Sequence, residues 1–315
     1  MKYTSPTLGF EATYRLSSQL AILQDITDKE DDAILNSIGC SNHLYCKTKA
    51  AKIVLFNTCD SDVDDRNLEV RTEIIKPNQR KKMYAEFNKL NKLMAKYFLV
   101  PSTISHNPNM EGGGHIHMGY PEGVEYQSNM PNIFLSNMLK NLNDIANNFP
   151  ALIWAMNSPY DNINAKSSLN NPNFKRGVQA LSDGFGCYRE TYGITSKQFS
   201  IIPRLNYETF EFRFFTMPKD GEGLKFNVAV AESMYKKAFD MSVSNTSLDP
   251  KYKSKFALCS ISKNQALYNL KMSAEYLGLD YSDFVKHDRV KSLRKRFQLE
   301  ATFNPDGDID NTYLT

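Results

Sequence analysis

One stretch limits what this chain can fold into: Glu111-Gly112-Gly113-Gly114-His115-Ile116-His117-Met118-Gly119-Tyr120. Three successive glycines strip the backbone of side chains, so that something bulky can lie against it. The next four residues alternate polar and apolar with period two, the mark of a half-buried strand. Both imidazoles then point to one face, while Ile116 and Met118 point into a core. Two histidines on one strand face suit a metal or a phosphate. Alone, the stretch reads equally well as a glycine bulge beside two hydrogen-bonded histidines.

Three further runs answer it. In Tyr207-Glu208-Thr209-Phe210-Glu211-Phe212-Arg213-Phe214-Phe215, the phenylalanines Phe210, Phe212 and Phe214 share one face and Thr209, Glu211, Arg213 and Phe215 the other. Asn67 to Ile75 sets Glu69, Arg71 and Glu73 on a common face, and Leu8 to Tyr14 lifts Glu11 and Thr13 to one side. A solvent-facing sheet more often shows lysine and serine. This selection of glutamate, arginine and histidine favours a single polar sheet face that holds metal.

The length of 315 residues suits one large domain or two small ones. With 41% hydrophobic and 12% aromatic residues the chain folds into a globular body. A net charge of +3 is too small to argue for nucleic acid, and the basic run Lys286 to Arg296 reads first as a solvated helix face. No apolar run approaches the roughly 20 residues that span a bilayer, and the N-terminus lacks a secretory apolar region, so a cytoplasmic protein is expected. Five cysteines without framework spacing suit free, buried thiols; Cys40-x2-His43-x2-Cys46 with Cys59 is the minor alternative, a zinc site.

The remaining elements follow from periodicity. Helices are expected over Ser17–Ser37, 79–98, Pro131–Phe149, a short turn through Trp154, Gly223–Val243 and Ile261–Leu277. Of these, 79–98 is the clearest, with Met83, Phe87, Leu90, Met94 and Tyr97 on one stripe. Ala51–Phe56 reads as a strand leading into the acidic loop Asp60–Asp65, which lacks the central glycine and distal glutamate of a calcium loop. Asn157–Asn173 and Asp183–Glu190 read as binding loops. No internal repeat or long linker appears, and the last fifteen residues read as a loose tail.

Gly113-Gly114-His115-Ile116-His117-Met118-Gly119 resembles the Gly-x-His-x-His strand of the glutamine synthetase-like carboxylate–amine ligases. Glu211-Phe212-Arg213-Phe214-Phe215 resembles their terminal Glu-x-Arg strand. The nearest flavour is that of the small phage-encoded amidoligases, with glutamate–cysteine ligase more distant, and the resemblance spans about residues 7 to 240 in order and spacing. It implies an α+β fold: a curved antiparallel sheet of about six strands, the active site on its concave face and helices on its convex face. Residues 1–245 would form the catalytic domain and 246–315 a helical extension packed on it.

The activity implied is ATP- and Mg²⁺-dependent joining of a small-molecule or peptide carboxylate to an amine, with two or three Mg²⁺ ions (or Mn²⁺) offsetting the repulsion between carboxylate and phosphates. Carried over by motif, His115 and Glu211 are metal ligands, as are Glu11 and either Glu69 or Glu73. His117 contacts nucleotide phosphate beside Gly113 and Gly114. Arg213 stabilises the transferring phosphoryl group, and Arg204 binds phosphate or substrate. Arg189 either grips substrate or closes a salt bridge with Glu190, and Arg71 either bridges the glutamates or meets substrate. The paired mid-strand glutamates of glutamine synthetase have no counterpart, so neither ammonia nor glutamate is implied, and no oligomeric state follows. Two rival readings share the fold: a guanidino kinase-like phosphotransferase and a non-enzymatic phage protein that binds nucleotide or peptide. A third, a cupin-like metal protein, lacks ligands beyond Glu122.

Overall fold

The computed structural model describes residues 1–16, 41–62, 67–101, 113–127, 130–156, 172–183, 201–253 and 263–282. Among them, seven strands form one open antiparallel sheet: β1 (Leu8–Leu16), β2 (Phe56–Asp62), β3 (Asn67–Thr72), β4 (Leu99–Pro101), β5 (Gly114–Gly119), β6 (Ile201–Arg204) and β7 (Thr209–Phe212). Their order is β2-β3-β1-β5-β7-β6, with β4 also paired to β1. The helices are α1 (Ser41–Ala50), α2 (Arg80–Ala95), α3 (Ile133–Asn148), α4 (Pro150–Met156), α5 (Pro172–Asp183), α6 (Gly221–Ser244) and α7 (Lys263–Leu277). The expected helix at Ser17–Ser37 lies outside the described residues, as does the loop carrying Arg189.

Strand alternation sorts the side chains as the sequence demands. Leu8, Phe10, Ala12 and Tyr14 of β1, Ile116 and Met118 of β5, and Phe210 and Phe212 of β7 are buried on the apolar face. Two helices close over it. The stripe Met83, Phe87, Leu90 and Met94 turns α2 inward, and Phe87 meets Phe10 edge-on at 5.5 Å. Helix α6 starts on Asp220, whose side chain accepts from Gly223 N at 2.8 Å. It brings Tyr235 beside Phe210, and the Tyr235 hydroxyl donates to the Gly119 carbonyl at 2.8 Å. That bond ties the end of β5 to the helix layer. Each fully buried aromatic or aliphatic side chain contributes about 2 kcal/mol of transfer free energy.

Three sequence readings are corrected. The strand expected at Ala51–Phe56 begins only at Phe56. Glu86 of α2, 3% exposed, accepts from the Val54 and Leu55 amides at 3.0 and 2.8 Å. A carboxylate thus satisfies the donors that a neighbouring strand would have taken. The acidic stretch read as a loop is strand as far as Asp62, paired with Asn67 of β3. Cys46, expected to be buried, is an exposed thiol on α1, and Cys59 is half-buried; neither forms a disulfide among the described residues.

At the far end, α7 is anchored by Asn269, which donates to Asn148 O at 3.0 Å and accepts from Ala151 N at 3.1 Å. No helix among the described residues is long and apolar enough to cross a membrane.

Candidate functional site

The polar face is assembled by register. Glu11 stands opposite Arg71 on one side and His115 on the other; Gly9 stands opposite His117, which stands opposite Glu211; Thr13 stands opposite Glu69. Arg204 of β6 faces Thr209 of β7, two residues from Glu211. Because directly paired residues share a face, these side chains converge on the side away from α2 and α6.

Glu11 is the hub. His115 Nδ1 lies 3.2 Å from Glu11 Oε2, His117 Nε2 lies 3.3 Å from Glu11 Oε1, and Arg71 Nε lies 3.3 Å from the same oxygen. Arg71 also donates to Glu69 Oε2 at 2.6 Å. Glu211, wholly buried, is the second hub. His115 Nδ1 is 3.3 Å from its Oε1, Arg204 Nε is 2.6 Å from its Oε2, and Arg213 donates to Oε1. Burial pushes the Glu11 carboxyl up in pKa, but hydrogen bonds and charge from His115 and His117 outweigh it and hold the group well below its ordinary value. At Glu211 burial again acts upward. His115, Arg213, His117 and Arg204 together carry the carboxyl below its ordinary value.

These residues offer two overlapping ligand sets for a metal. Glu11, His117 and Glu211 form one and Glu11, Glu69 and His115 the other, the ligand atoms of each set within 4.8 Å of one another. Two buried atoms face into the cluster: His117 Nε2 meets Glu11 Oε1 at 3.3 Å and Glu211 Oε2 meets Arg204 Nε at 2.6 Å, both contacts made by charge more than by hydrogen-bond geometry. The other imidazole nitrogen of His117 sits 3.3 Å from Thr209 Oγ1, a contact that fixes the ring's orientation. Carboxylate oxygens with an occasional imidazole suit Mg²⁺ or Mn²⁺.

Glu69 and Glu73 now separate. Glu69 joins the cluster, whereas Glu73 is exposed and accepts from Asn57. Glu73 instead lines an open cleft of about 670 Å³ that runs across the sheet past Glu11, Arg71, His117 and Arg204 to Tyr120 and Glu208. Gly113 and Gly114 make room for the chain itself. A Cβ at Gly113 would lie 2.8 Å from Phe215 O and one at Gly114 2.9 Å from Pro218 Cδ, while Gly114 N donates to Phe215 O at 3.0 Å. This crossing segment follows β7 and carries Arg213 into the site. Thr209 and Thr13 were legible as face residues without a role; Thr13 donates to Gly113 O at 2.9 Å and fixes the start of β5.

Fold and site together define a class: a mixed helix and open antiparallel-sheet protein with a carboxylate–imidazole–guanidinium cluster on the sheet. No family model and no curated protein matches the chain. Among solved structures, GmaS in its apo form without ligand is similar, with a TM-score of 0.51 over 96% of this chain and 72% of its own, at 11% identity. At that identity the likeness speaks for the fold.

Proposed function

We propose that the protein is an ATP- and Mg²⁺-dependent carboxylate–amine ligase that forms an amide bond through an acyl phosphate. The observation that carries this reading is the gathering of Glu11, His115 and Glu211 around shared contacts of 3.2 and 3.3 Å, with Arg204 and Arg213 on Glu211. The likeness to GmaS supports it at the level of the fold. The polar face is taken as the concave, ligand-holding side, within residues 1–245. Cys46 and Cys59, neither in a disulfide among the described residues, agree with a reducing cytoplasm.

In the reaction a carboxylate oxygen of the acid attacks the γ-phosphorus of ATP, and the bond from that phosphorus to the bridging oxygen of ADP breaks. The amine nitrogen then attacks the acyl carbon, inorganic phosphate leaves, and the amine proton passes to solvent or a nearby base. Bound dications would supply charge neutralisation, held by Glu11, Glu69, His115 and Glu211. The chain's own part is positional and electrostatic. His117 meets nucleotide phosphate, and Arg213 and Arg204 present positive charge where negative charge accumulates on the transferring group. The acid is a small molecule or a peptide, and the second substrate an amine.

The test is thermal stabilisation by ATP with and without Mg²⁺, followed by a screen of acids and amines for release of ADP and phosphate with an amide product. At a hundredfold excess over Kd a bound nucleotide stabilises by about 2.7 kcal/mol. That shift should vanish with chelator. Equal stabilisation in both conditions, or a stable phosphorylated product in place of the amide, overturns the reading.

A further inference from the structure

Among the described residues, each carboxylate of the cluster already meets a guanidinium. Three carboxylates, Glu11, Glu69 and Glu211, are matched by three guanidiniums: Arg71 on the first two, and Arg204 and Arg213 on the third. A divalent cation entering this cluster meets carboxylates that already have partners. The three arginines are not equally fixed. The Arg213 side chain is 11% exposed and that of Arg204 is 30%, whereas that of Arg71 is 42% exposed and lines the open cleft. Arg71 also spans the two carboxylates that, with His115, make one of the two metal-capable sets. Its position between Glu11 and Glu69 is the position a dication shared by them would take.

We propose that Arg71 is a positioning residue that holds Glu11 and Glu69 in place of a divalent metal and yields them when the metal enters. The inference rests on the metal-dependent reading above and deepens it. Without Arg71 the two carboxylates repel and splay; with it they remain set for the ion. Once the ion takes them, the guanidinium is released toward the cleft, where it faces whatever anion the metal brings. Metal loading is thereby made weaker in the absence of an anion, because the ion must displace a cation that is already there. A long, half-exposed side chain is suited to this exchange, since its movement costs little packing.

The experiment is calorimetric titration of the full chain with Mn²⁺ alone, comparing wild type with Arg71→Gln and Arg71→Lys, alongside melts of each in chelator and in saturating Mn²⁺. An exposed ion pair is worth up to about 1 kcal/mol, and one guanidinium serves two carboxylates here, so Arg71→Gln should bind Mn²⁺ roughly five- to tenfold more tightly. Arg71→Lys, which keeps the charge but not the fork, should fall between. Arg71→Gln should melt lower than wild type in chelator, and the gap should close in saturating Mn²⁺. A merely structural arginine would leave the gap unchanged by metal. Equal or weaker Mn²⁺ binding by Arg71→Gln, or a gap that metal does not close, overturns the proposal and leaves the ligase reading standing. Absence of Mn²⁺ binding by all three proteins removes the metal reading and the proposal with it.

Discussion

His117 and Glu211 face each other in register across β5 and β7, and Glu211 has no exposure to solvent at all. A buried carboxylate must be matched by charge or coordination, and Arg204 and Arg213 supply the match on either side. The same carboxylate that balances two arginines also lies within 4.8 Å of ligand atoms of Glu11 and His117.

Replacing Glu211 with Gln leaves both arginines beside a neutral amide. Turnover in the amide-forming assay is expected to fall below about a tenth of wild type, a barrier increase above 1.4 kcal/mol. Stability should drop by about 3 kcal/mol, the usual cost of breaking a buried pair at one partner. Retention of near-wild-type turnover would show that Glu211 balances the arginines and does nothing else.

Acid should weaken the metal-free protein for the same reason. Glu11 and Glu211 have folded-state pKa values below the ordinary glutamate value of about 4.3. As pH falls through that value the unfolded state takes up protons first, so the stability these groups supply is intact above it and is lost on the way down to the folded-state values. Urea unfolding in chelator should show this decline, and Glu211→Gln should show a shallower one, its curve converging on wild type at low pH. Parallel curves would mean that Glu211 titrates alike in both states.

His115 and His117 should separate by titration. His115→Ala should raise the Mg²⁺ concentration needed for activity, because its ring sits between Glu11 and Glu211. His117→Ala should mainly raise the ATP concentration needed, as loss of a ground-state contact does. If His117→Ala shifts the Mg²⁺ titration by the same factor, then His117 belongs with Glu11 and Glu211 as a metal ligand.

Gly113→Ala would place a methyl group 2.8 Å from the Phe215 carbonyl, a backbone atom that cannot rotate aside. Overpacking of this kind costs about 1–3 kcal/mol. Melting should therefore fall and ATP–Mg²⁺ binding weaken together, as the crossing segment that carries Arg213 is displaced. Weaker binding at unchanged stability would assign the glycine to the nucleotide directly.

Glu86→Ala tests a part of the fold remote from the chemistry. It strips two charge-assisted hydrogen bonds from the Val54 and Leu55 amides, and a loss of about 3 kcal/mol in urea unfolding is expected. A loss below about 1 kcal/mol would mean that water replaces the carboxylate there without penalty.

The sequence by itself determined which side chains share a face. Period-two alternation is a local property, so Glu11 with Thr13, His115 with His117, and Glu211 with Arg213 could be read from neighbours alone. The stripe on α2 was legible for the same reason. Four short motifs were enough to expect glutamate, histidine and arginine on one polar sheet face. Only the tertiary structure decided which of these faces meet. The Glu11–His115 contact joins residues 104 apart in the chain, and nothing local encodes the register that makes it. That register follows from burying Phe10, Ile116 and Phe212 on one side of the sheet, since a slip of one residue would turn every face over. The placement of Glu69 in the cluster and of Glu73 in the cleft, the arginine that spans Glu11 and Glu69, the Phe215–Pro218 crossing against the glycines, and the late start of β2 beneath Glu86 all belong to that long-range order. Each depends on atoms brought together by packing, and packing is not a property of any one segment.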